Sequence, residues 1–209
     1  MQYGLSNSPG VRSLARNLIV MGFLLVIAWT VSGCTATITD TVTEEKIKVI
    51  HNADPSLTEV EVRTDGMLSE LGYDSPHPFA LKSKVLADMK YYADNPISRG
   101  DIVVFRTKNN KDQDTDMARV VGLPSETVRI EKGQVYIDNK KLDAFYGSDS
   151  TLENGDSWHA VSLKDNEYYI LADVRWRGFN DSQTAGPFLK KDILGKVVGY
   201  EERAKTTTD

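Results

Sequence analysis

Arg99-Gly100-Asp101-Ile102-Val103-Val104-Phe105 and, further on, Ala118-Arg119-Val120-Val121-Gly122-Leu123-Pro124-Ser125-Glu126-Thr127-Val128 are the stretches on which the fold of this chain turns. Each carries a run of β-branched and aromatic residues too short for a helix. Each is also bounded by residues that end regular structure, Gly100 and Asp101 before the first and Gly122 and Pro124 within the second. They read as two strands joined through a polar insert, Thr107 to Asp116, the second running straight into a turn. Thr127-Val128-Arg129-Ile130 then meets Glu131-Lys132-Gly133, and Gln134-Val135-Tyr136-Ile137 leaves it. Gly133 suits the left-handed backbone of a tight hairpin connection, and Asp138-Asn139 suits a second turn before Lys140-Lys141.

The same alternation extends in both directions: Lys46 to Ile50, Leu57 to Arg63, Lys84 to Tyr92, Trp158 to Leu163, Tyr168 to Leu171 and Leu194 to Tyr200. Gly, Asn, Asp or Pro separate many of these runs. Only Ser83 to Tyr92 hints at a helical period, so the expected fold is a mainly β domain. Phe145 to Trp158 reads as a polar surface excursion.

The chain has 209 residues, enough for one domain with a genuine core beside a short hydrophobic segment. Arg12 and Arg16 are the only charges before residue 35, so the rest holds 25 less 2 basic side chains against 30 acidic ones, a net charge of −7. An acidic domain without a Lys/Arg cluster argues against nucleic acid as a partner. Cys34 is the single cysteine, and His51, His77 and His159 are scattered, so neither disulfides nor a metal site is expected, and no cofactor is implied.

From Leu18 to Ile38 run 21 consecutive uncharged residues, long enough as a helix to cross a hydrocarbon core of about 30 Å. With Arg12 and Arg16 before it and Asp40, Glu44 and Glu45 after it, the orientation rule leaves residues 1–17 in the cytoplasm and the domain outside. A second reading uses the same residues: Val31-Ser32-Gly33-Cys34 resembles the lipobox of bacterial lipoproteins, which makes Cys34 a lipidation candidate. Either way the chain is expected to be anchored at the bacterial cytoplasmic membrane. Residues 39–45 then read as a tether, 46–202 as an extracytoplasmic β domain and 203–209 as a frayed tail.

The quoted stretches resemble the type I signal peptidase family. In that family the first block leads a strand beside the active site, and the second carries the catalytic lysine immediately before its arginine. Gln134-Val135-Tyr136-Ile137-Asp138-Asn139-Lys140 resembles the next hairpin. Tyr169-Ile170-Leu171-Ala172-Asp173-Val174-Arg175 and Asp181-Ser182-Gln183 resemble the family's glycine-aspartate-asparagine-arginine and aspartate-serine-arginine blocks. Gly186-Pro187 and Ile193-Leu194-Gly195-Lys196-Val197 follow in the same order. The resemblance implies an antiparallel β-sheet domain after an N-terminal transmembrane or lipoprotein-signal helix. It also implies a serine activated by a neutral, desolvated lysine.

Several positions depart from that pattern. Ala118 stands at the lysine position, Ala172 replaces a glycine, Val174 an asparagine and Gln183 an arginine, while Asp173, Arg175, Asp181 and Ser182 remain. The resemblance implies that Asp173 or Asp181 pairs with Arg175 to support the sheet. Two registers compete for the serine. Ser75-Pro76-His77-Pro78-Phe79 resembles the serine motif and has the better spacing to Arg99, so it is preferred. Asp65-Gly66-Met67 matches the motif's methionine and puts Gly66 at the serine position. Pro76, Pro78, Asp101 and Val103 are the positions the resemblance assigns to substrate binding.

Three functions follow. The chain is a degenerate relative that binds or positions exported or surface proteins, as relatives in pilus gene clusters are thought to do. Alternatively it is an active signal peptidase with an unusual base, or a structural envelope lipoprotein. Exported proteins and the membrane are the expected partners.

Overall fold

The structure is a computed structural model, and it describes residues 36–40, 43–69, 71–108, 113–148 and 157–201. The strands are β1 (Thr37–Thr39), β2 (Lys48–Val49), β3 (Thr58–Glu61), β4 (Lys84–Asp88), β5 (Ile102–Arg106), β6 (Thr115–Gly122), β7 (Thr127–Glu131), β8 (Gln134–Ile137), β9 (Lys140–Asp143), β10 (Trp158–Ser162), β11 (Glu167–Leu171), β12 (Phe188–Leu189) and β13 (Ile193–Tyr200). Two single-turn helices, α1 (Tyr91–Asp94) and α2 (Ser182–Ala185), interrupt them.

The decisive stretches form β5 and β6, paired antiparallel with Ile102 opposite Arg119 and Val103 opposite Ala118. They sit centrally in the larger sheet, ordered β12-β11-β6-β5-β13-β4-β3, with β2 alongside β13. The smaller sheet runs β1-β9-β8-β7-β10. Its two hairpins have the turn chemistry expected from the sequence: Lys132 and Gly133 have φ of 50° and 77°, and Asp138 and Asn139 have 48° and 63°. Paired left-handed residues match the twist of the flanking strands.

The sheets join where β6 runs into β7. Val121, Tyr169 and Leu171 of the large sheet pack with Val128, Ile130, Val135, Ile137 and Leu142 of the small one. Gly122 is required there, because a Cβ would lie 2.4 Å from Val128 Cγ2. The turn that follows is closed by Glu126, whose carboxylate accepts from Leu123 N–H and from both guanidinium ends of Arg99.

Three features differ from the sequence reading. Thr37–Thr39, at the end of the uncharged run and the start of the supposed tether, form a parallel strand beside β9. Thr43 Oγ1 donates to the Arg99 carbonyl and Tyr146 OH to Asp40, so hydrogen bonds to distant parts of the chain hold this segment on the domain. Lys84 to Tyr92 is a strand, Lys84–Asp88, followed by α1; Val85, Leu86 and Ala87 are buried in succession, as in a strand covered on both faces. Residues 18–35, Cys34 among them, most of the surface excursion and the tail lie outside the described residues. Among the described residues no helix is long and apolar enough to cross a membrane.

Candidate functional site

Ala118 sits in the middle of β6. Strand alternation turns Ala118 and Val120 to one face and Met117, Arg119 and Val121 to the other. Ala118 is 1% exposed, among Tyr92, Ile97, Val103, Phe105, Ile170 and Phe188. An apolar shell of this kind lowers the pKa of an amine, but a methyl group has no proton to exchange.

On its other side β6 pairs with β11, Leu171 opposite Arg119, which brings the next residue, Ala172, level with Ala118. Gly66 stands against Ala172: a Cβ on Gly66 would lie 3.2 Å from the Ala172 Cβ and 3.3 Å from the Arg177 carbonyl oxygen. The turn that carries Gly66 is held on every side. Its carbonyl accepts from Val174 N–H at 2.8 Å, and Asp65 pairs with Arg177 at 2.8 Å. Met67 is buried with Val62, Phe79 and Met117, and Thr64 Oγ1 donates to Asp116 Oδ1 at 2.7 Å.

Asp116 is the residue that sequence reasoning missed. It looked like the end of a polar insert; it is the second residue of β6 and buried. Besides Thr64 it accepts from Met117 N–H at 2.8 Å and from Asn180 Nδ2 at 2.8 Å. Burial pushes its pKa up against those three donors. Only the sequence fact that a charged residue sits one place before an apolar alternation marks it.

Ser75 lies elsewhere. It is exposed, beside a cavity of about 90 Å³ lined by Val49, Asp74, His77, Lys84 and Tyr200. Tyr200 is four residues along β13 from Lys196, which is level with Val103 and so with Ala118. That separation is about 13 Å along the strand. Ser75 Oγ has no hydrogen-bond partner among the described residues. His77, the nearest imidazole in the chain, is committed: Nδ1 accepts from Phe79 N–H and Nε2 contacts the Ser69 carbonyl at 3.1 Å. Pro76 is exposed, Pro78 is buried, and Val103 is wholly inside the core. Asp101 is buried too, held by Lys196 at 2.6 Å, Tyr92 OH at 3.0 Å and Ser98 N–H at 3.0 Å. Lys108 reaches the Ala185 carbonyl at 3.2 Å and lies over the Phe188 ring, with burial lowering its pKa.

The supporting charges are arranged differently from the expectation that Arg175 is the cation. Asp173 pairs with Arg119, Oδ1 to Nε at 2.8 Å and Oδ2 to Nη2 at 2.7 Å, while Nη1 donates to the Gly100 carbonyl. Arg119 is fully enclosed and Asp173 follows it in sequence by way of the adjacent strand, so they meet first; Arg175 donates instead to the Tyr146 carbonyl at 2.9 Å. Asp181 caps α2 through Gln183 N–H and accepts from Ala172 N–H, and Ser182 Oγ accepts from Ile170 N–H. Burial raises Asp181 to a pKa of about 6.

Residues 21–200 match the family described as signal peptidase, peptidase S26. The chain belongs to that family. Signal peptidase I S of Bacillus subtilis strain 168 is 31% identical over 129 residues, covering 57% of this chain and 68% of that protein. The inactive signal peptidase IA of Staphylococcus aureus strain COL is 28% identical over 108 residues, covering 49% of this chain and 59% of that one. A crystal structure of a signal peptidase I from Enterococcus faecalis V583 is similar with a TM-score of 0.42 and 21% identity, over 49% of this chain and 97% of that chain. The chain spans from 51% to 68% of the length of such curated relatives. Among the described residues no group of His, Cys, Asp or Glu is placed to hold a metal ion.

Proposed function

We propose that this member of the signal peptidase family binds exported or surface polypeptides outside the cytoplasmic membrane and does not cleave them. The observation that carries the reading is that Gly66 stands against Ala172, which the β6–β11 register sets level with Ala118. In the family's pattern Ala118 takes the lysine position, and its neighbourhood with Gly66 favours the register in which Gly66 takes that of the serine. Neither residue can attack a carbonyl or accept a proton. Ala172, where the pattern has glycine, crowds residue 66: a Cβ there would lie 3.2 Å from the Ala172 Cβ. Ser75, the other candidate, is exposed, at a separate cavity beside Tyr200. A relative named as inactive gives the reading a precedent in the family. The hydrophobic run from Leu18 supports an anchored protein, and a pilus subunit held for assembly is the kind of cargo the resemblance implies.

The test uses the full chain in lipid nanodiscs and a labelled preprotein carrying a secretory signal. Saturable binding without cleavage is expected, identical for wild type and Ser75→Ala. The triple variant Gly66→Ser, Ala118→Lys, Ala172→Gly is expected to gain measurable cleavage. Wild-type cleavage that disappears in Ser75→Ala would restore the peptidase and sink the reading, and absence of binding would sink it from the other side.

A further inference from the structure

The chain enters the domain through residues 37–50, and two observations set this segment apart. Among the described residues from 36 to 61 none is buried; the first core side chain is Val62. Within the segment, Ile38 and Ile47 reach the core clusters, each from the rim and partly exposed. Beneath it lies a cavity of about 440 Å³, with Thr43 and Ile47 on one side and Gly100, Ile102 and Val197 on the other. The segment bridges the sheet instead of packing into it.

What holds it is a row of hydrogen bonds. β1 pairs with β9 over three residues, and β2 pairs with β13 over two. Between and beyond them Tyr146 OH donates to Asp40 at 2.7 Å and Thr43 Oγ1 to the Arg99 carbonyl at 3.0 Å. Ile47 N–H donates to Tyr73 OH at 2.7 Å, Lys46 Nζ to the Gly72 carbonyl at 2.7 Å, and Ile50 N–H to the Tyr200 carbonyl at 2.8 Å. Each of these bonds is exchanged for one with water when it opens, so its net contribution is small. Apolar burial, the main stabilising force elsewhere in the domain, is nearly missing here. Segments built this way open at a free energy far below that of global unfolding. No core residue interrupts the row, so nothing fixes the chain part-way along.

We propose that residues 37–50 form a releasable strap, which leaves the domain as one unit while the rest stays folded. Release adds fourteen residues, up to about 50 Å of extended chain, to the length between the hydrophobic run and the domain. The tether expected at residues 39–45 is thus stored on the domain surface, and the domain has two reaches. The inference concerns the tether alone and does not depend on what the domain binds.

Hydrogen exchange and trypsin test it on the full chain in lipid nanodiscs. In wild type the amides of Ile47 and Ile50 are expected to exchange at least a hundredfold faster than that of Val120, which donates to the Asp101 carbonyl inside the domain. Tyr146→Phe keeps the ring beside Arg119 and removes the hydroxyl that holds Asp40. It is expected to speed exchange at both Ile47 and Ile50 about fivefold, the effect of one ordinary hydrogen bond, although Ile50 lies ten residues from Asp40. Val120 should not change, which reports that the fold is intact. Thr43→Val, which removes the donor to the Arg99 carbonyl, is expected to act alike. Trypsin cleavage after Lys46 and Lys48, scored by fragment mass, should accelerate by the same factor in both variants, because the protease meets the released population. Exchange of Ile47 and Ile50 at the rate of Val120 would show a segment welded to the core and overturn the proposal. So would an effect of Tyr146→Phe confined to residues near Asp40, a cleavage rate unmoved by either variant, or acceleration of Val120 in step with the segment.

Discussion

The two halves of β6 were built to different ends. From Arg119 to Gly122 the strand is locked: Arg119 is 1% exposed, gives two hydrogen bonds to Asp173 and one to Gly100, and lies 4.7 Å from the Phe145 ring. Burial alone pulls the Arg119 pKa down, and the Asp173 charge more than offsets this, so the cation is held firmly. From Thr115 to Ala118 the strand loses its second neighbour, carries a methyl where chemistry is expected, and closes its edge with its own carboxylate. The contrast teaches that scaffold and reactivity separate over a few residues of one strand. The buried Arg119–Asp173 pair is kept next to an apolar stretch whose centre is Ala118.

The sharpest way to break the locked half is Asp173→Ala, which strands a buried guanidinium without its counter-charge. The expected loss is about 3–5 kcal/mol, read from urea unfolding. A loss below about 1 kcal/mol would mean that Phe145 and the Gly100 carbonyl suffice, and that the two halves differ less than their contacts suggest.

The next effect concerns Asp181, which hydrogen-bonds the Ala172 amide behind the half that holds Ala118. Its folded pKa of about 6 is raised from 3.8 by burial, so its protonated form is the one the fold favours. Its contribution to stability is therefore fully present below about pH 4 and is lost as the pH rises through 6. The shift corresponds to about 3 kcal/mol. Urea midpoints should rise on going from pH 7.5 to pH 5, and Asp181→Asn should remove much of that slope while keeping the α2 cap. Asp116, whose pKa moves in the same direction, adds to the slope, and His77, lowered by burial, opposes it. A slope unaltered by Asp181→Asn would assign it elsewhere.

The β character of the domain was legible because its central strands carry their own alternation and turn residues. Gly133 and Asp138-Asn139 announced both hairpins of the small sheet. β1, β9 and β12 were not, since Thr37–Thr39, Lys140–Asp143 and Phe188–Leu189 are too short or too polar to show a period and become strands only by pairing with neighbours. The site was half legible. Ala118 could be marked from the motif around it, but for the serine registers spacing favours Ser75 and the motif's methionine favours Gly66, so the sequence does not decide between them. That the Gly66 turn is the one laid against Ala172 is a tertiary fact no sequence distance carries. Asp116 escaped for a related reason: a charged residue on a strand reads as solvent-facing until its partners, Thr64 and Asn180, arrive from distant parts of the chain.

The smallest expected effect tests how the half that holds Ala118 is closed by packing. Gly66 has no left-handed backbone requirement, so adding a methyl there is not opposed by φ. Reduced freedom in the unfolded chain would favour Gly66→Ala by about 0.4–1 kcal/mol. Contacts of 3.2 Å to Ala172 Cβ and 3.3 Å to the Arg177 carbonyl oppose it, and overpacking of this kind costs about 1–3 kcal/mol. A net loss of about 1 kcal/mol is expected. In an Ala172→Gly background the nearer obstacle is gone, and the same substitution should become neutral or mildly stabilising, a coupling of about 1 kcal/mol in a double-mutant cycle. Equal costs in both backgrounds would show that the Arg177 carbonyl, not the alanine at the family's glycine position, fills the space. Room for a larger side chain at residue 66 would then have to come from the 174–181 loop instead of from Ala172.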